Sequence, residues 1–121
     1  MQIVHAQASV VLVVEDEVLV RDCAVAQLQE AGFGVIAVGD AEAALHEFEE
    51  RPDVTTVFTD INMPGRFNGL SLAHMIFRLR PQVQLIVTSG VRPDRSAMPV
   101  GVHFLAKPYD CSLLPTLIKA A

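Results

Sequence analysis

Cysteine is scarce in this chain, long apolar runs are missing, and basic residues are outnumbered. Cys23 and Cys111 are its two cysteines, with neither C-x-x-C nor metal-ligand spacing. That leaves no disulfide framework or zinc motif to propose, and two reduced, structural thiols are the default expectation. Half of the residues are apolar, at 51%, yet no uninterrupted run approaches the ~18 residues a bilayer-spanning helix needs. The start, Met1-Gln2-Ile3-Val4-His5, lacks the cationic opening of a secretory signal. A soluble, cytoplasmic protein is expected, without a membrane partner. Nine Lys and Arg stand against fourteen Asp and Glu, a net charge of −5, which argues against nucleic acid as a direct partner. Repeats, low-complexity segments and linkers are also lacking. At 121 residues, one domain over 1–121 with a real core is the simplest organisation.

What is present is a regular alternation of short apolar runs with amphipathic stretches, the pattern of a parallel α/β sheet. Ser9–Val14 is a continuous β-branched run, suited to a strand buried on both faces. Glu17–Ala31 reads as a helix with Val20, Cys23, Ala24, Leu28 and Ala31 on one side, stopped by Gly32. Gly34–Val38 is a second strand. Asp40 caps a second helix whose stripe is Ala44, Leu45 and Phe48, and Arg51-Pro52 ends it. A β-rich run from Val54 closes on Asp60, and Met63-Pro64-Gly65 stops regular structure. Leu70–Arg80 is the third helix, with Leu72, Ala73, Ile76 and Leu79 inward. Val83–Thr88 and Val102–Ala106 complete five strands.

Between those last two strands a crossover helix is expected, but Pro93 and Pro99 leave room for little more than one turn. Val91–Gly101 therefore reads as a packed loop, with Arg92 and Arg95 solvated and Met98 or Val100 turned to the core. Pro115 compromises the final helix unless Ser112 caps it, which places the proline in the first turn. The expected fold is a doubly wound five-stranded parallel sheet of flavodoxin-like order 2-1-3-4-5, with helix four short or absent.

In that order the carboxyl ends of strands one and three open a crevice, where Glu15, Asp16 and Asp60 meet. Three carboxylates repel one another unless a cation neutralises them. An all-oxygen site with room for water and a phosphoryl group suits Mg²⁺. Asp60 is then free to act as a nucleophile and form an acyl phosphate. Lys107, after strand five, offers a point charge to a phosphoryl oxygen, and Ser89 or Thr88, at the end of strand four, a hydroxyl. Each piece has an ordinary account: first-turn helix acids for Glu15-Asp16-Glu17, a solvated lysine, a Ser89-Gly90 turn, a turn-initiating Asp60. Their coincidence at the carboxyl ends of separate strands favours chemistry.

From V-L-V-V-E-D-E at Val11–Glu17 to F-L-A-K-P-Y-D at Phe104–Asp110, the chain resembles the receiver domains of bacterial two-component response regulators. The resemblance implies that Asp60 accepts a phosphoryl group from a phosphohistidine on a histidine kinase or a histidine phosphotransfer protein. It implies that Glu15 and Asp16 are the acidic pair, that the backbone carbonyl of Asn62 joins the Mg²⁺ ligands, and that Lys107 is the motif lysine. Ser89, followed by the small Gly90, takes the switch-hydroxyl position, with Thr88 the fallback. Phe104 takes the aromatic switch position, although a buried core Phe accounts for it equally well. Such a domain is no enzyme beyond its own phosphorylation and dephosphorylation.

The sequence departs from the family in two places. M-P-G-R-F-N-G-L carries one residue more than the common M-P-x-M-D-G-L, and the proline-broken Val91–Gly101 removes most of the usual reporting helix. Nothing follows residue 121, so no attached output domain is expected. The chain is a free-standing regulator or a receiver cut from a hybrid kinase, and Met1 favours the former. An acid-metal phosphatase would want an Asp where Asn62 stands. The alternative on the same fold is a phosphorylation-independent interaction module, which would normally have lost Asp60, Asp16 or Lys107. His5, His46, His74 and His103 share no ligand spacing.

Overall fold

The computed structural model describes residues 9–118. Five parallel strands are arranged in the order β2-β1-β3-β4-β5: β1 Val10–Val14, β2 Gly34–Val38, β3 Val54–Asp60, β4 Gln84–Ser89 and β5 His103–Ala106. Helices α1 Val18–Glu30, α2 Ala41–Glu50, α3 Gly69–Leu79 and α4 Leu114–Leu117 cover the two faces. The expected fold class and strand order are both present.

Alternation along each strand explains why the runs are apolar throughout. Val11, Val13, Phe58 and Ile86 point to one face, packed with Ala24 and Leu28 of α1 and with Leu114 and Ile118. Leu12, Val14, Val57 and Val87 point to the other, against Phe48 of α2 and Leu72, Ala73 and Ile76 of α3. Burying one such side chain contributes roughly 1.5–3 kcal/mol, so both layers are held by many modest terms.

Local signals set most helix ends. The Asp40 carboxylate accepts from Ala43 N at 2.7 Å, as expected of the cap on α2. Gly32 closes α1 at φ +96°, with Phe33 N donating to Leu28 O and Gly32 N to Gln29 O, each at 3.0 Å. This paired pattern needs a left-handed residue after the helix, and glycine takes it without steric cost. The third helix starts earlier than Leu70, because Asn68 caps it by accepting from Ser71 N at 2.9 Å.

Several expectations need correction. Cys23 and Ala31 lie outside the buried stripe of α1, and Leu79 is 53% exposed at the end of α3. Ser112 is not the cap of the last helix. Leu113 holds that position without a side-chain bond, and Pro115 lies in the first turn. Asp110 instead caps the 3-10 turn at Cys111–Leu113, its carboxylate accepting from Ser112 N at 3.0 Å and Ser112 Oγ at 2.7 Å. The cysteines are not separate thiols. Cys23 of α1 and Cys111 are joined by a disulfide across 88 residues of sequence. Packing of α1 against the segment after β5 brings them together, which sequence spacing does not reveal.

Between β4 and β5 the chain makes one 3-10 turn, Arg95–Ala97, and no α-helix. Met98 is buried and Val100 is 86% exposed, so the core contact falls to the methionine. Arg92 and Arg95 are exposed. His74 Nε2 lies 2.7 Å from Ala97 O, tying this segment to α3.

Candidate functional site

Parallel pairing aligns the strand ends that carry the polar residues. Val14 of β1 pairs with Thr59 of β3, Asp60 with Thr88 of β4, and Ser89 with Ala106 of β5. Glu15, Asp60, Ser89 and Lys107 therefore leave the sheet at one edge. Backbone bonds fix the exits: Glu15 N to Val38 O at 3.1 Å, Ile61 N to Thr88 O at 3.0 Å and Lys107 N to Ser89 O at 2.9 Å.

The acidic triplet does not act as first-turn helix acids. Glu15 turns inward and is 1% exposed, its Oε2 accepting from Glu17 N at 3.0 Å. Asp16 is exposed and Asp60 buried, and oxygens of Glu15, Asp16 and Asp60 lie within 4.8 Å of one another. Lys107 Nζ stands between two of them, 2.8 Å from Asp60 Oδ2 and 3.4 Å from Glu15 Oε1. Such partly buried pairs are screened much less than surface ones.

Burial pushes the Glu15 carboxyl above its usual range; the Glu17 N–H opposes this, and the nearby Asp60 charge adds to it. For Lys107, burial pulls downward, but the hydrogen bond to Asp60 and the charges of Asp60 and Glu15 outweigh it. Its ammonium is held above the ordinary value. Three carboxylates against one ammonium leave an excess of negative charge here even with the lysine in place. Carboxylate oxygens alone, at this spacing, form a hard donor set that fits one small divalent cation.

Asp60 Oδ1 accepts from Asn62 N at 3.2 Å, so the loop two residues past the strand bends back over the Asp60 carboxylate. The Asn62 side chain donates through Nδ2 to Ser89 Oγ at 3.2 Å, and Val91 N also donates to that hydroxyl at 3.2 Å. Ser89 is thus joined to the loop that carries Asn62. Thr88 is buried, and its hydroxyl has no partner among the described residues. Phe104 is half-buried against the core, with the Arg92 guanidinium 5.1 Å from its ring centroid.

Three contributors escaped the sequence reading. Arg21 Nη1 donates to Glu15 O at 3.1 Å from the first turns of α1. The backbone of Gly69 packs directly on the Asp60 carbonyl. Tyr109 packs edge-on against Phe58, centroids 5.5 Å apart, and burial pushes its phenol up to about 12, the Glu15 charge adding to the effect. The residues F-N-G-L at 67–70 held a signal for one of these: an Asn cap followed at once by glycine.

A model of the response regulator receiver domain matches residues 11–119, so the chain belongs to the receiver domain family of response regulators. It is 32% identical over 116 residues to the transcriptional regulatory protein CseB of Streptomyces coelicolor, covering 91% of this chain and 47% of that protein. It is also 32% identical over 117 residues to the sensor kinase CckA of Brucella abortus, covering 93% of this chain and 12% of the kinase. The crystal structure of a response regulator receiver protein from Sinorhizobium medicae superposes with a TM-score of 0.83 at 24% identity, over 91% of this chain and 90% of that one. The chain thus spans less than half the length of these two curated relatives. The family is one of phosphoryl-accepting switches, and these relatives do not favour the phosphorylation-independent module.

Proposed function

We propose that Asp60 accepts a phosphoryl group from a phosphohistidine of a histidine kinase or histidine phosphotransfer protein in the cytoplasm, the whole described chain acting as one receiver domain. The observation that carries this reading is the Lys107 ammonium bridging buried Asp60 and Glu15 at 2.8 and 3.4 Å. A carboxylate nucleophile with a fixed cation beside it is arranged to meet an incoming phosphoryl group.

Glu15, Asp16, Asp60 and the backbone carbonyl of Asn62 would hold Mg²⁺. When bound, the ion neutralises charge on the phosphoryl oxygens and offsets the carboxylate repulsion. One Asp60 oxygen attacks phosphorus as the P–N bond breaks, and the electron pair returns to the imidazole. Lys107 moves its ammonium from the carboxylate to a phosphoryl oxygen, and the Ser89 hydroxyl meets another. That exchange releases Ser89 from Asn62 and Val91, which links phosphorylation to the loops that hold them. The catalysis is confined to Asp60 itself, without turnover of an external substrate.

The single turn at Arg95–Ala97 leaves no helix-four surface to report the change. Output then runs through α1 and the active-site loops, or the chain serves as a phosphate shuttle or sink. Incubation with acetyl phosphate and Mg²⁺, followed by intact mass, tests the reading. A one-phosphate adduct is expected that disappears in Asp60→Asn and in excess EDTA; an adduct that persists in Asp60→Asn overturns it.

A further inference from the structure

We propose that Cys23 and Cys111 form a reversible dithiol–disulfide pair that controls how firmly the Lys107–Cys111 segment is held against α1. The inference rests on the phosphoryl-acceptor reading in one respect only, the compartment. Phosphohistidine donors of this class work in the reducing cytoplasm, where a disulfide is transient, catalytic or redox-sensing rather than permanent.

The position of the bridge gives it leverage. Cys23 lies two residues beyond Arg21, which donates to Glu15 O at 3.1 Å. Cys111 lies four residues beyond Lys107, whose ammonium contacts Asp60 and Glu15. The cross-link therefore joins the two elements that hold opposite sides of the acidic crevice. Apart from the cross-link, this segment meets α1 through Cys111–Leu113 and the four-residue α4, with Leu114 and Ile118 packed on Ala24 and Leu28. So short a helix has little stability of its own.

Access and geometry both suit exchange. Cys23 is exposed and Cys111 half-buried. Their Cα atoms are 6.3 Å apart, a separation a disulfide spans without backbone movement. The two residues also line, with Leu19, Val20, Pro108 and Tyr109, an open groove of about 490 Å³ that ends at Lys107. A small disulfide oxidant such as oxidised glutathione enters from that side. One cysteine thiolate attacks a sulfur of the oxidant, releasing the first reduced thiol and leaving a mixed disulfide. The second thiolate attacks the protein sulfur of that mixed disulfide and releases the second reduced thiol. Two electrons pass to the oxidant and the protons of both cysteine thiols end on its two products.

The test uses the wild-type chain equilibrated in glutathione buffers of graded ratio, then split between thiol alkylation with mass analysis and amide hydrogen exchange. We expect zero and two alkylated thiols at the two extremes, full interconversion in the folded protein, and at least about tenfold faster exchange in residues 107–113 when reduced. Acetyl phosphate labelling of Asp60 should slow about threefold or more in the reduced form, because misplacing a charge contact by a fraction of an ångström is costly. Cys23→Ser/Cys111→Ser should match the reduced form in both buffers. The proposal falls if the pair opens only on unfolding, or if exchange across 107–113 is the same in both states. If no adduct forms in either state while exchange still follows the redox state, the acceptor reading falls and the switch stands.

Discussion

Gly69 opens α3 with its Cα so close to the backbone of Asp60 that an added Cβ would overlap the Asp60 carbonyl oxygen and crowd Thr59 Oγ1. Gly69 N also donates to Ile61 O at 3.0 Å, so the helix start is bonded to the residue after Asp60. Neither backbone can retreat without breaking the β3–β4 pairing at Asp60 and Thr88. Gly69→Ala is expected to cost ~1–3 kcal/mol, the range for forcing an extra methyl into a packed interior. Acetyl phosphate labelling should fall with it. Gly90→Ala, where a Cβ meets open space, should stay within about 0.5 kcal/mol. Urea unfolding of both variants decides the matter, and equal midpoints would show that the α3 start can shift freely.

Tyr109 offers a direct reading of burial beside the acidic crevice. It is the one tyrosine of a chain without tryptophan, so phenolate absorbance reports it alone. Burial, with the Glu15 charge next, pushes the phenol from 10 up to about 12. In the unfolded chain it ionises near the ordinary value, so between the two the native state holds the extra proton. Stability therefore falls as pH rises from 10 to about 12. Titration should place the native midpoint well above that in urea, and Tyr109→Phe should flatten the alkaline slope of unfolding. Its hydroxyl has no partner among the described residues, so the variant should lose nothing at neutral pH. A native midpoint near 10 would show that the ring is open to water.

How much of this was legible beforehand follows from how local each cause is. The strands and their order came from continuous β-branched runs such as Val10–Val14, whose two faces are both buried. The convergence of Glu15, Asp60 and Lys107 followed from topology, because strand ends of one parallel sheet must share an edge. Longer-range packing left no periodic trace. Cys23 fell in an apolar stripe by spacing, yet it faces the 3-10 turn at Cys111–Leu113 rather than the sheet. Leu79 fits its helical stripe, but it is the last residue of α3 and extends past the sheet into solvent. Gly69 carried no local mark of its role, since only the fold puts the Asp60 carbonyl against it.

Ser89 and Thr88 should separate cleanly as candidates for the switch. Ser89 Oγ is already held by Asn62 Nδ2 and Val91 N, so capture by a phosphoryl oxygen changes two loops at once. Thr88 Oγ1 is buried without a partner and offers nothing to release. A contact of this kind shifts a two-state equilibrium by its differential strength, ~1–3 kcal/mol. Phosphorylated Ser89→Ala should lose most of the amide chemical-shift changes seen at residues 61–68 and 90–98 in phosphorylated wild type. Thr88→Val should retain them. Identical spectra for phosphorylated wild type and Ser89→Ala would move the role to Thr88.

The exposed start of α1 is where a phosphodonor protein should dock. Val18 and Leu19 are 55% and 83% exposed, while Ala24 and Leu28 further along the same helix are buried. Leu19 also borders the groove that runs past Pro108 and Tyr109 to Lys107. Scattered surface apolar residues are common and carry little meaning alone. Here two adjacent ones flank the crevice that a phosphohistidine must enter, and a helix presenting that histidine would cover them. Burying a leucine at the centre of such a contact commonly contributes enough that Leu19→Asp should slow transfer by about tenfold or more. The measurement compares two donors on the same variant: acetyl phosphate, and whichever phosphorylated kinase or phosphotransfer protein labels wild type fastest. Slowed transfer from the protein donor with unchanged labelling by acetyl phosphate places the contact at Leu19. Equal loss with both donors would instead trace the effect to a disturbed α1, and unchanged transfer from both would put the docking surface elsewhere.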